Sequence, residues 1–358
     1  MNILPITNEV VWTNFFDMIG SPSFHQSWEW GEFQTMQGYQ ILRLGFYQRE
    51  KLIGIALVIK IRSKRGNFLF VPHGPLFSFL HSALSIDVSS DEINTAKEGL
   101  GVLTEYLANI ARAEDFWFIR IAPIFSDNDV NNEIFKIVGF KIAPIYMHAE
   151  TVWIVDLSPS EDELLMSMRK NTRYAIRKAS KIGVGIEKHF VISALDEFWK
   201  LYEKTTTREN FTPFPKKYIA NEYTAFRKTN NSVFFLGRLP QILAQEGASK
   251  YLAGSLVIFT KSTGYYHQGA SIHTEFPVPY LLQWSAMLEA KRRGCKYYNF
   301  YGIYRAGRTP KSWEGLSLFK RGFGGFELNY LPTQDYVVSP KYYFSYLVDR
   351  YLSYRRGI

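Results

Sequence analysis

The chain has 358 residues, 46% of them hydrophobic, with 42 lysines and arginines against 33 aspartates and glutamates. This length suits two domains, and the apolar content excludes a disordered chain. The formal charge of +9 favours a polyanionic partner, namely RNA, a nucleotide-linked sugar or an anionic membrane surface, with general basicity for solubility as the alternative.

The cellular compartment is indicated by features that the sequence lacks. Cys295 is the one cysteine, so we expect a reducing compartment and no catalytic role for its thiol. The opening MNILPITNEVVW has no basic region followed by an apolar core, and the longest apolar run, near LIGIALVI, is much shorter than the ~18 residues of a spanning helix. We therefore expect a cytoplasmic protein, either soluble or peripheral at the inner membrane surface.

Two halves of the chain carry the same series of elements in the same order. LIGIALVIKI, NFLFVPHGP, a helix over 94–113 and ARAEDFWFIRIAP in the first half match LAGSLVIFTK, GYYHQGAS, a helix over 280–293 and AKRRGCKYYNFYGI in the second. The matches align Gly54 with Gly254, Gly74 with Gly269 and Trp117 with Tyr297. Each half therefore predicts an α/β unit with a mixed sheet, and the boundary lies near Glu150.

A basic helix opens the second half. Ser160 and Glu163 have the spacing of a capping box, and apolar residues then recur at helical intervals as far as Ala179, which predicts one helix. Its other face presents a stripe of positive charge, formed by Lys170, Arg173, Arg177 and Lys181. Like charges at these spacings repel, which favours binding of phosphate, from a tRNA acceptor stem or a pyrophosphate, over a solvated face.

A second basic site follows in YEKTTTRENFTPF. Arg208 lies directly after a run of three threonines that includes Thr206. An arginine fork beside hydroxyl groups suits a phosphate or a carboxylate, and the alternative is an arginine at a helix C-terminus that interacts with the helix dipole.

The strand TGYYHQGASIH is predicted to alternate. Alternation places Tyr266 and Gln268 on one face and Tyr265 and His267 on the other, with one pair facing a cleft. We expect a structural or hydrogen-bonding role for His267 rather than a catalytic one, because no carboxylate lies at a recognisable orienting spacing.

The segment GLSLFKRGFGG places Lys320 between Phe319 and a glycine-rich turn. Phe319 can desolvate the ammonium group, while Gly322, Gly324 and Gly325 permit positive φ and close approach of a ligand or strand. The expectation is a cation that meets an anion, and the alternative is a hairpin with a solvated lysine.

Together with HQSWEWGEF, RKNTRYAIRKASKIGV and YLLQWSAMLEAKRRGCKYYNFYGIYR, this segment resembles the FemABX family. These are non-ribosomal peptidyltransferases that move an amino acid from aminoacyl-tRNA to the stem peptide of a peptidoglycan precursor, UDP-MurNAc-pentapeptide or its lipid-linked form, in interpeptide bridge synthesis. The resemblance implies two tandem acetyltransferase-like (GNAT) domains, 1–150 completed by about 329–358 and 151–328. No sustained heptads lie between Phe211 and Val233, so we expect no coiled-coil arm.

The resemblance also implies site residues. Lys320, with Phe319, would serve the tRNA side and stabilise the negative charge that develops when the stem-peptide amine attacks the ester, while the terminal ribose helps with proton transfer and no protein base is obligatory. Substrate contacts are expected from Arg208, Thr206, Tyr266, Gln268, Tyr304 and Gln34.

This chain departs from the family pattern at several of these positions. Gln34 stands where many relatives have a lysine, Gln268 stands where an aromatic residue is frequent, and YNFYGI, with Asn299 and Tyr301, replaces a segment close to YDFGGI. Each change bears on substrate preference.

Cofactors are not expected, and aminoacyl-tRNA would be the co-substrate of a monomeric enzyme. HExxH, CxxC, P-loop and GxSxG motifs are absent, so we expect no metal. An acyl-CoA-dependent N-acyltransferase acting on a polysaccharide precursor or small amine is the alternative, although IHTEFPVPY lacks the glycine-rich turn that seats the coenzyme A pyrophosphate. A non-catalytic RNA-binding module is a third hypothesis.

The C-terminal tail PKYYFSYLVDRYLSYRRGI mixes aromatic and basic residues. This composition suits a membrane interface, and packing of the apolar side on the first domain is the alternative. Both hold if the helix docks by one side and leaves its arginines facing anionic lipid.

Overall fold

In the computed structural model, which describes residues 1–79, 89–209, 212–243 and 249–358, strands and helices alternate as the α/β prediction requires. The chain divides into unit 1, formed by Met1–Val152, Gly302–Ser317 and Glu327–Ile358, and unit 2, formed by Trp153–Tyr301 and Leu318–Phe326. The domain boundaries given above stay a prediction, and the two units differ from them by grouping Gly302–Ser317 with unit 1 and by shifts of two residues at the other boundaries.

The elements follow in chain order. The first group is β1 (Asn2–Pro5), α1 (Glu9–Ile19), α2 (Trp28–Met36), β2 (Gln40–Gln48), β3 (Lys51–Ser63), β4 (Gly66–Pro72), β5 (Leu76–Phe77), α3 (Ser90–Ala113), β6 (Phe118–Ala122), α4 (Asp129–Val138) and β7 (Lys141–Ile142). The second group is β8 (Thr151–Asp156), α5 (Glu161–Ser167), α6 (Lys170–Ile182), β9 (Gly185–His189), α7 (Ala194–Glu209), α8 (Lys216–Arg227), β10 (Ser232–Arg238), a 3-10 turn (Gln241–Leu243), β11 (Ala253–Phe259), β12 (Thr263–Ser271), α9 (Val278–Arg292) and β13 (Tyr297–Gly302). The last group is α10 (Trp313–Arg321), β14 (Phe326–Asn329), β15 (Gln334–Val337) and α11 (Tyr342–Arg355).

The two sheets have matching topologies, which confirms the repeat. The first has the order β1-β2-β3-β4-β6-β15-β7, with β5 beside β3, and the second has the order β14-β8-β13-β12-β11-β10-β9. In the first sheet β4 runs antiparallel to β3 and parallel to β6, and in the second β12 runs antiparallel to β11 and parallel to β13. The crossover helices between the parallel strands are α3 and α9. Gly54 and Gly254 lie on the equivalent strands β3 and β11, as the alignment predicts.

Each sheet is covered by apolar helix faces. The crossover helix α3 begins with a capping box between Ser89 and Glu92 and buries Leu100, Leu103 and Leu107. In unit 2, the crossover helix α9 buries Leu282 and Met287 in the same core as the inner faces of β11 and β13. These two cores are what hold the parallel strand pairs in place.

The helix predicted from Ser160 onward is in fact two helices. The predicted capping box is present at Ser160 and Glu163, but the backbone at Met168 is extended, with φ −70° and ψ 157°, and separates α5 from α6. Met168 is 2% exposed, so the break turns an apolar side chain into the core. Arg173 then donates hydrogen bonds to the carbonyl oxygens of Met166 and Met168 that the break leaves open.

The C-terminal helix α11 packs against the rest of unit 1. Arg120 makes a two-pronged ion pair with Asp335 of β15, at 2.7 and 2.8 Å, and also contacts Asp349 of α11 at 2.9 Å. The Tyr342 hydroxyl donates to Asp335 at 3.2 Å. The tail is therefore anchored by buried, paired charges.

Two expectations about long helices can be compared with the structure. The described residues between β9 and β10 form α7 and α8, of 16 and 12 residues, in place of a coiled-coil arm. Across the described part of the chain, no helix is long and apolar enough to cross a membrane.

Candidate functional site

In unit 2 the parallel strands β12 and β13 separate beyond a short paired segment, and we call the space between their carboxyl ends the crevice. The two parallel strands pair only over Thr263–Tyr265 and Tyr297–Asn299, although β12 continues to Ser271 and β13 to Gly302. Ligands of open α/β sheets bind outside the carboxyl ends of parallel strands. The residues directly after the last pair, Tyr265 with Asn299, therefore line a candidate site.

A β-bulge at His267 decides which side chains face which wall of this crevice. Tyr266 pairs with Val257 of β11, and Gln268 pairs with Leu256, so that the register of the two strands shifts by one residue at His267. Cross-strand partners share a face, and consecutive β11 residues face opposite ways. The prediction that Tyr266 and Gln268 share a face is therefore wrong, because the extra residue reverses the alternation.

Lys320 lies on the same side of the sheet as Tyr266. Its Nζ is 6.0 Å from the centroid of the Tyr266 ring, and the residue is only 5% exposed. Burial lowers the pKa of the Lys320 ammonium from its ordinary 10.5 to about 7. At neutral pH comparable fractions of this side chain are therefore charged and neutral.

The local structure around Lys320 differs from the hairpin alternative. Lys320 and Phe319 belong to the last turn of α10, and the chain then turns at Gly324 and Gly325, with φ values of 78° and 92°. A Cβ at Gly325 would collide with the carbonyl oxygen of Ile154 in β8. Gly324 and Gly325 use the positive φ that glycine permits, whereas Gly322 does not have positive φ and instead allows the Thr172 hydroxyl to approach closely.

Aromatic rings surround this wall of the crevice. Phe319 packs edge-on against Tyr280 of α9 at 5.0 Å and against Phe323 at 5.3 Å, and Phe300 of β13 contacts Tyr266 at 6.3 Å. Burial raises the pKa of the Tyr266 hydroxyl to about 12, so the phenol is neutral at physiological pH. These rings exclude water, which is the reason the Lys320 ammonium is destabilised.

The opposite wall holds a carboxylate that the sequence analysis missed. Glu222 of α8 is completely buried, and its Oε1 lies 2.5 Å from Nδ1 of His267, while its Oε2 accepts a hydrogen bond from Gln268 at 3.4 Å. A signal was present in the sequence, since Glu222 interrupts the apolar stripe that Ile219, Tyr223 and Phe226 form at helical spacing. A charged residue in such a stripe is buried and therefore paired.

The departures Asn299 and Tyr301 are structurally linked. Tyr301 has φ 64°, in the left-handed region that favours glycine, and its backbone N–H donates to Oδ1 of Asn299 at 2.7 Å. The Tyr301 ring packs edge-on against His267, with 5.2 Å between the ring centroids. Tyrosine at this position costs about 1–2 kcal/mol of backbone strain.

Arg208 and Thr206 lie near the far end of β12. Arg208 Nη1 donates to the carbonyl oxygen of Ser271 at 2.7 Å, and its Nε pairs with Glu209 at 2.7 Å. The Thr206 hydroxyl donates to the carbonyl oxygen of Glu203 at 2.9 Å. Both belong to the C-terminal turns of α7, so their roles as substrate contacts stay predictions.

The basic stripe of α6 is exposed at three of its four positions. Lys170, Arg177 and Lys181 are exposed, whereas Arg173 is partly buried by its hydrogen bonds to the α5 carbonyl oxygens. Three cations are therefore available to an anion, and the fourth stabilises the break between α5 and α6.

Gln34 and Tyr304 belong to unit 1, whereas the other predicted site residues belong to unit 2. Gln34 is buried in α2, and the backbone N–H of Tyr304 donates to the Ser317 hydroxyl at 2.7 Å. Their proposed substrate contacts stay predictions.

Cysteine and metal chemistry have little support in the described residues. Burial raises the pKa of the Cys295 thiol to about 11, which keeps it protonated at neutral pH. Among the residues that the structure describes, no group of three or more histidines, cysteines and acidic residues is arranged to hold a metal ion.

Comparisons with known proteins agree with this architecture. A crystal structure of FemX superposes with a TM-score of 0.80 at 19% identity, covering 98% of this chain and 100% of that one. A tandem GNAT protein from the clavulanic acid biosynthesis pathway has a TM-score of 0.56 at 7% identity, covering 95% and 99%. These two likenesses establish the tandem acetyltransferase-like fold.

Sequence comparison extends the agreement along the chain. The lipid II:glycine glycyltransferase of Staphylococcus aureus (strain MRSA252) is 22% identical over 385 residues, covering 88% of this chain and 88% of that protein. The profile of the FemAB family matches residues 7–136, 145–241 and 236–350. The chain therefore belongs to the FemAB family.

Proposed function

We propose that this protein transfers an amino acid from aminoacyl-tRNA to the stem-peptide amine of a peptidoglycan precursor, in interpeptide bridge synthesis. The observation that carries the proposal is the buried Lys320 beside the crevice of a FemAB-family chain. A relative of similar length is named for glycine transfer to lipid II, which supports the class of acceptor.

In this reaction the protein has two main tasks, which are to orient the two reactants and to stabilise the charge that develops between them. The ester of an aminoacyl-tRNA is already activated, and attack by an amine places negative charge on the carbonyl oxygen. Holding the two reactants together contributes ~7–11 kcal/mol in favourable cases, and a preorganised cation in a dry site stabilises the oxyanion. Lys320 is the proposed cation, with Phe319 excluding water from it.

Lys320 can gain its charge when an anionic co-substrate binds. Because its pKa is about 7, an anion that binds nearby raises the pKa and holds the proton on Nζ. The exposed cations of α6, Lys170, Arg177 and Lys181, would bind phosphates of the tRNA. No resident cofactor is required by this scheme.

The exposed face of α11 is the proposed contact with the inner membrane surface, where a lipid-linked precursor would be found. Arg350, Arg355 and Arg356 are exposed on the same helix as the exposed aromatic residues Tyr351 and Tyr354. This arrangement supports peripheral binding to anionic lipid.

The test is transfer of radiolabelled amino acids from a total charged tRNA pool to the UDP-linked and the lipid-linked precursor, assayed separately. Labelled precursor that depends on tRNA supports the proposal, and the preferred acceptor and amino acid are read from the same assay. No transfer to either precursor, combined with thermal stabilisation by coenzyme A, would instead favour an acyl-CoA-dependent enzyme.

A further inference from the structure

Glu222 and His267 form a buried carboxylate–imidazole pair, an arrangement typical of general acid–base groups. Glu222 is completely buried, and its carboxylate lies 2.5 Å from Nδ1 of His267. The His267 side chain is 9% exposed. A carboxylate at Nδ1 favours the imidazole tautomer that carries its proton there, which leaves the lone pair on Nε2. It also stabilises the imidazolium that forms when Nε2 takes up a proton.

The backbone is arranged to present this pair at the crevice. The bulge in β12 inserts His267 at the level where β12 and β13 separate, and it lets both His267 and Gln268 reach Glu222. Bulges of this kind re-aim side chains next to active sites. The site is thus built by a local irregularity rather than by regular alternation.

Backbone strain at Tyr301 supports a functional role for the segment around His267. A tyrosine at φ 64° is unfavourable, and its ring holds the imidazole edge-on at 5.2 Å. Strained residues persist where the surrounding structure demands them, and they concentrate at active sites. Among the described residues, the titratable groups near His267 include Glu222 of α8 and Tyr301 of β13, and the charge of Glu222 also acts on the hydroxyl group of Tyr202 in α7.

We propose that His267, positioned by Glu222, is the proton acceptor and donor of the transfer reaction, a role that rests on the proposed function. The amine nitrogen attacks the ester carbonyl and forms the C–N bond, and its proton passes to Nε2 of His267. As the C–O bond to the ribose breaks, the imidazolium returns that proton to the leaving oxygen. The products are an amide and a free ribose hydroxyl, and His267 is neutral again.

The two walls of the crevice then have separate roles in the reaction. Lys320 stabilises the developing oxyanion, and His267 moves the proton. Glu222 and Tyr301 are positioning residues, because they act through the imidazole. General acid–base groups typically contribute about 10²- to 10⁴-fold, which sets the expected size of the effect.

The experiment measures two reactions over pH 5.5–9, with the full-length protein. One is transfer from charged tRNA to the precursor, and the other is aminolysis of a small aminoacyl ester of adenosine by a primary amine. The variants are His267→Gln, His267→Ala with and without added imidazole, Glu222→Gln and Tyr301→Gly. His273→Gln is the matched control, since His273 is an exposed histidine just beyond the same strand.

The expected result is a loss of about 10²-fold or more in kcat for His267→Gln, with little change in KM and without the rise in rate through the range where imidazoles lose a proton. Imidazole should restore part of the rate to His267→Ala, and Glu222→Gln should lower kcat with little change in KM. A structural role would produce neither the rescue nor the change in pH profile.

The two reactions separate the failure of this inference from that of the proposed function. If tRNA-dependent transfer proceeds and His267→Gln keeps the wild-type rate and pH profile, the inference is overturned and the proposed function stands. If the small ester reacts in a His267-dependent manner but no precursor is labelled from tRNA, the inference stands and the proposed function falls. If the wild-type protein catalyses neither reaction, both are overturned.

Discussion

Tyr266 and Gln268 lie two positions apart on β12 and face opposite sides of its sheet, because the bulge at His267 separates them. Tyr266 contacts Lys320, and Gln268 contacts Glu222. One short segment therefore connects a wall with a cationic group to a wall with an acid–base pair. In the crevice between β12 and β13, the oxyanion and the transferred proton of an acyl transfer can thus be stabilised by different walls.

Replacement of Lys320 by methionine should lower turnover by roughly 10²- to 10³-fold, the usual effect of removing one group that stabilises a transition-state charge. Methionine has a similar volume and is stable in an apolar environment, so the fold should persist. The measurement is single-turnover transfer, with Lys311→Met as a control that removes an exposed cation. Wild-type turnover in Lys320→Met would eliminate the proposed role of Lys320.

The activity should also fall as pH rises through about 7, because the ammonium form of Lys320 is the active one and its pKa lies there. Lys320→Arg keeps its charge at every pH of the assay, so its profile should lack this fall even where its rate is lower. The profile of kcat/KM reports the free enzyme, and bound tRNA should move the fall in kcat to higher pH. A profile that is the same for wild type and Lys320→Arg would contradict this assignment.

Stability should change with pH in a direction fixed by the same residue. Between about pH 7 and 10.5, Lys320 is mainly neutral in the folded protein but mainly protonated in the unfolded chain. The unfolded state then binds more protons, so this residue makes the free energy of unfolding rise with pH across that window. Lys320→Met should lack this contribution and gain most in stability over the wild type below pH 7. Denaturant titrations at pH 6, 8 and 9.5 measure the difference, and equal pH slopes for the two proteins would be evidence against a neutral buried lysine.

Much of the fold could be predicted from the sequence, because the two halves of the chain carry the same series of elements. A weak pattern in one half is therefore supported by its equivalent in the other. Gly54 and Gly254 fall on equivalent strands, and the capping box at Ser160 marks the start of a helix. The break at Met168 was not predicted, because the apolar period continues across it and the carbonyl oxygens it opens are satisfied by Arg173, a tertiary detail.

The site was predicted only on the Lys320 side, where the chemistry is local in sequence. The bulge at His267 requires no special residue, so the regular alternation was the natural expectation. The contact between Glu222 and His267 joins α8 to β12 and depends on burial, which spacing along the chain does not reveal. A rule that buried charges must be paired would have prompted a search for the partner of Glu222.

Reversal of charge on α6 should weaken tRNA binding. Arg177→Glu with Lys181→Glu alters two exposed cations and spares Arg173, whose hydrogen bonds stabilise the chain break. Each phosphate contact that is lost should reduce the slope of log affinity against log salt by about 0.7 to 0.9. The control is Lys217→Glu on α8 with Lys228→Glu directly after it, which makes the same change in net charge. If both double variants bind alike at every salt concentration, the stripe is only a solvated face.

The last prediction concerns binding of α11 to an anionic membrane. Tyr343, Leu347, Tyr351 and Tyr354 are 56%, 67%, 60% and 81% exposed, and their spacing places them on one side of the helix. The opposite side is occupied by the contacts of Tyr342 and Asp349 with unit 1, so binding does not require the helix to detach. In flotation assays we expect the protein to rise with vesicles that contain phosphatidylglycerol and to remain below with neutral phosphatidylcholine vesicles.

The arginines and the apolar face should contribute separately to this binding. Substitution of Arg350, Arg355 and Arg356 by glutamine should weaken flotation by about 1 kcal/mol per residue, and Leu347→Ser with Tyr351→Ser should weaken it further even at low salt. The control is a triple variant in which glutamine replaces Lys97, Arg112 and Lys136. These exposed residues of α3 and α4 carry the same total charge on another part of unit 1. Equal flotation with anionic and neutral vesicles, or equal loss in the control, would rule out a specific surface on α11, and a soluble UDP-linked precursor would then be the expected acceptor.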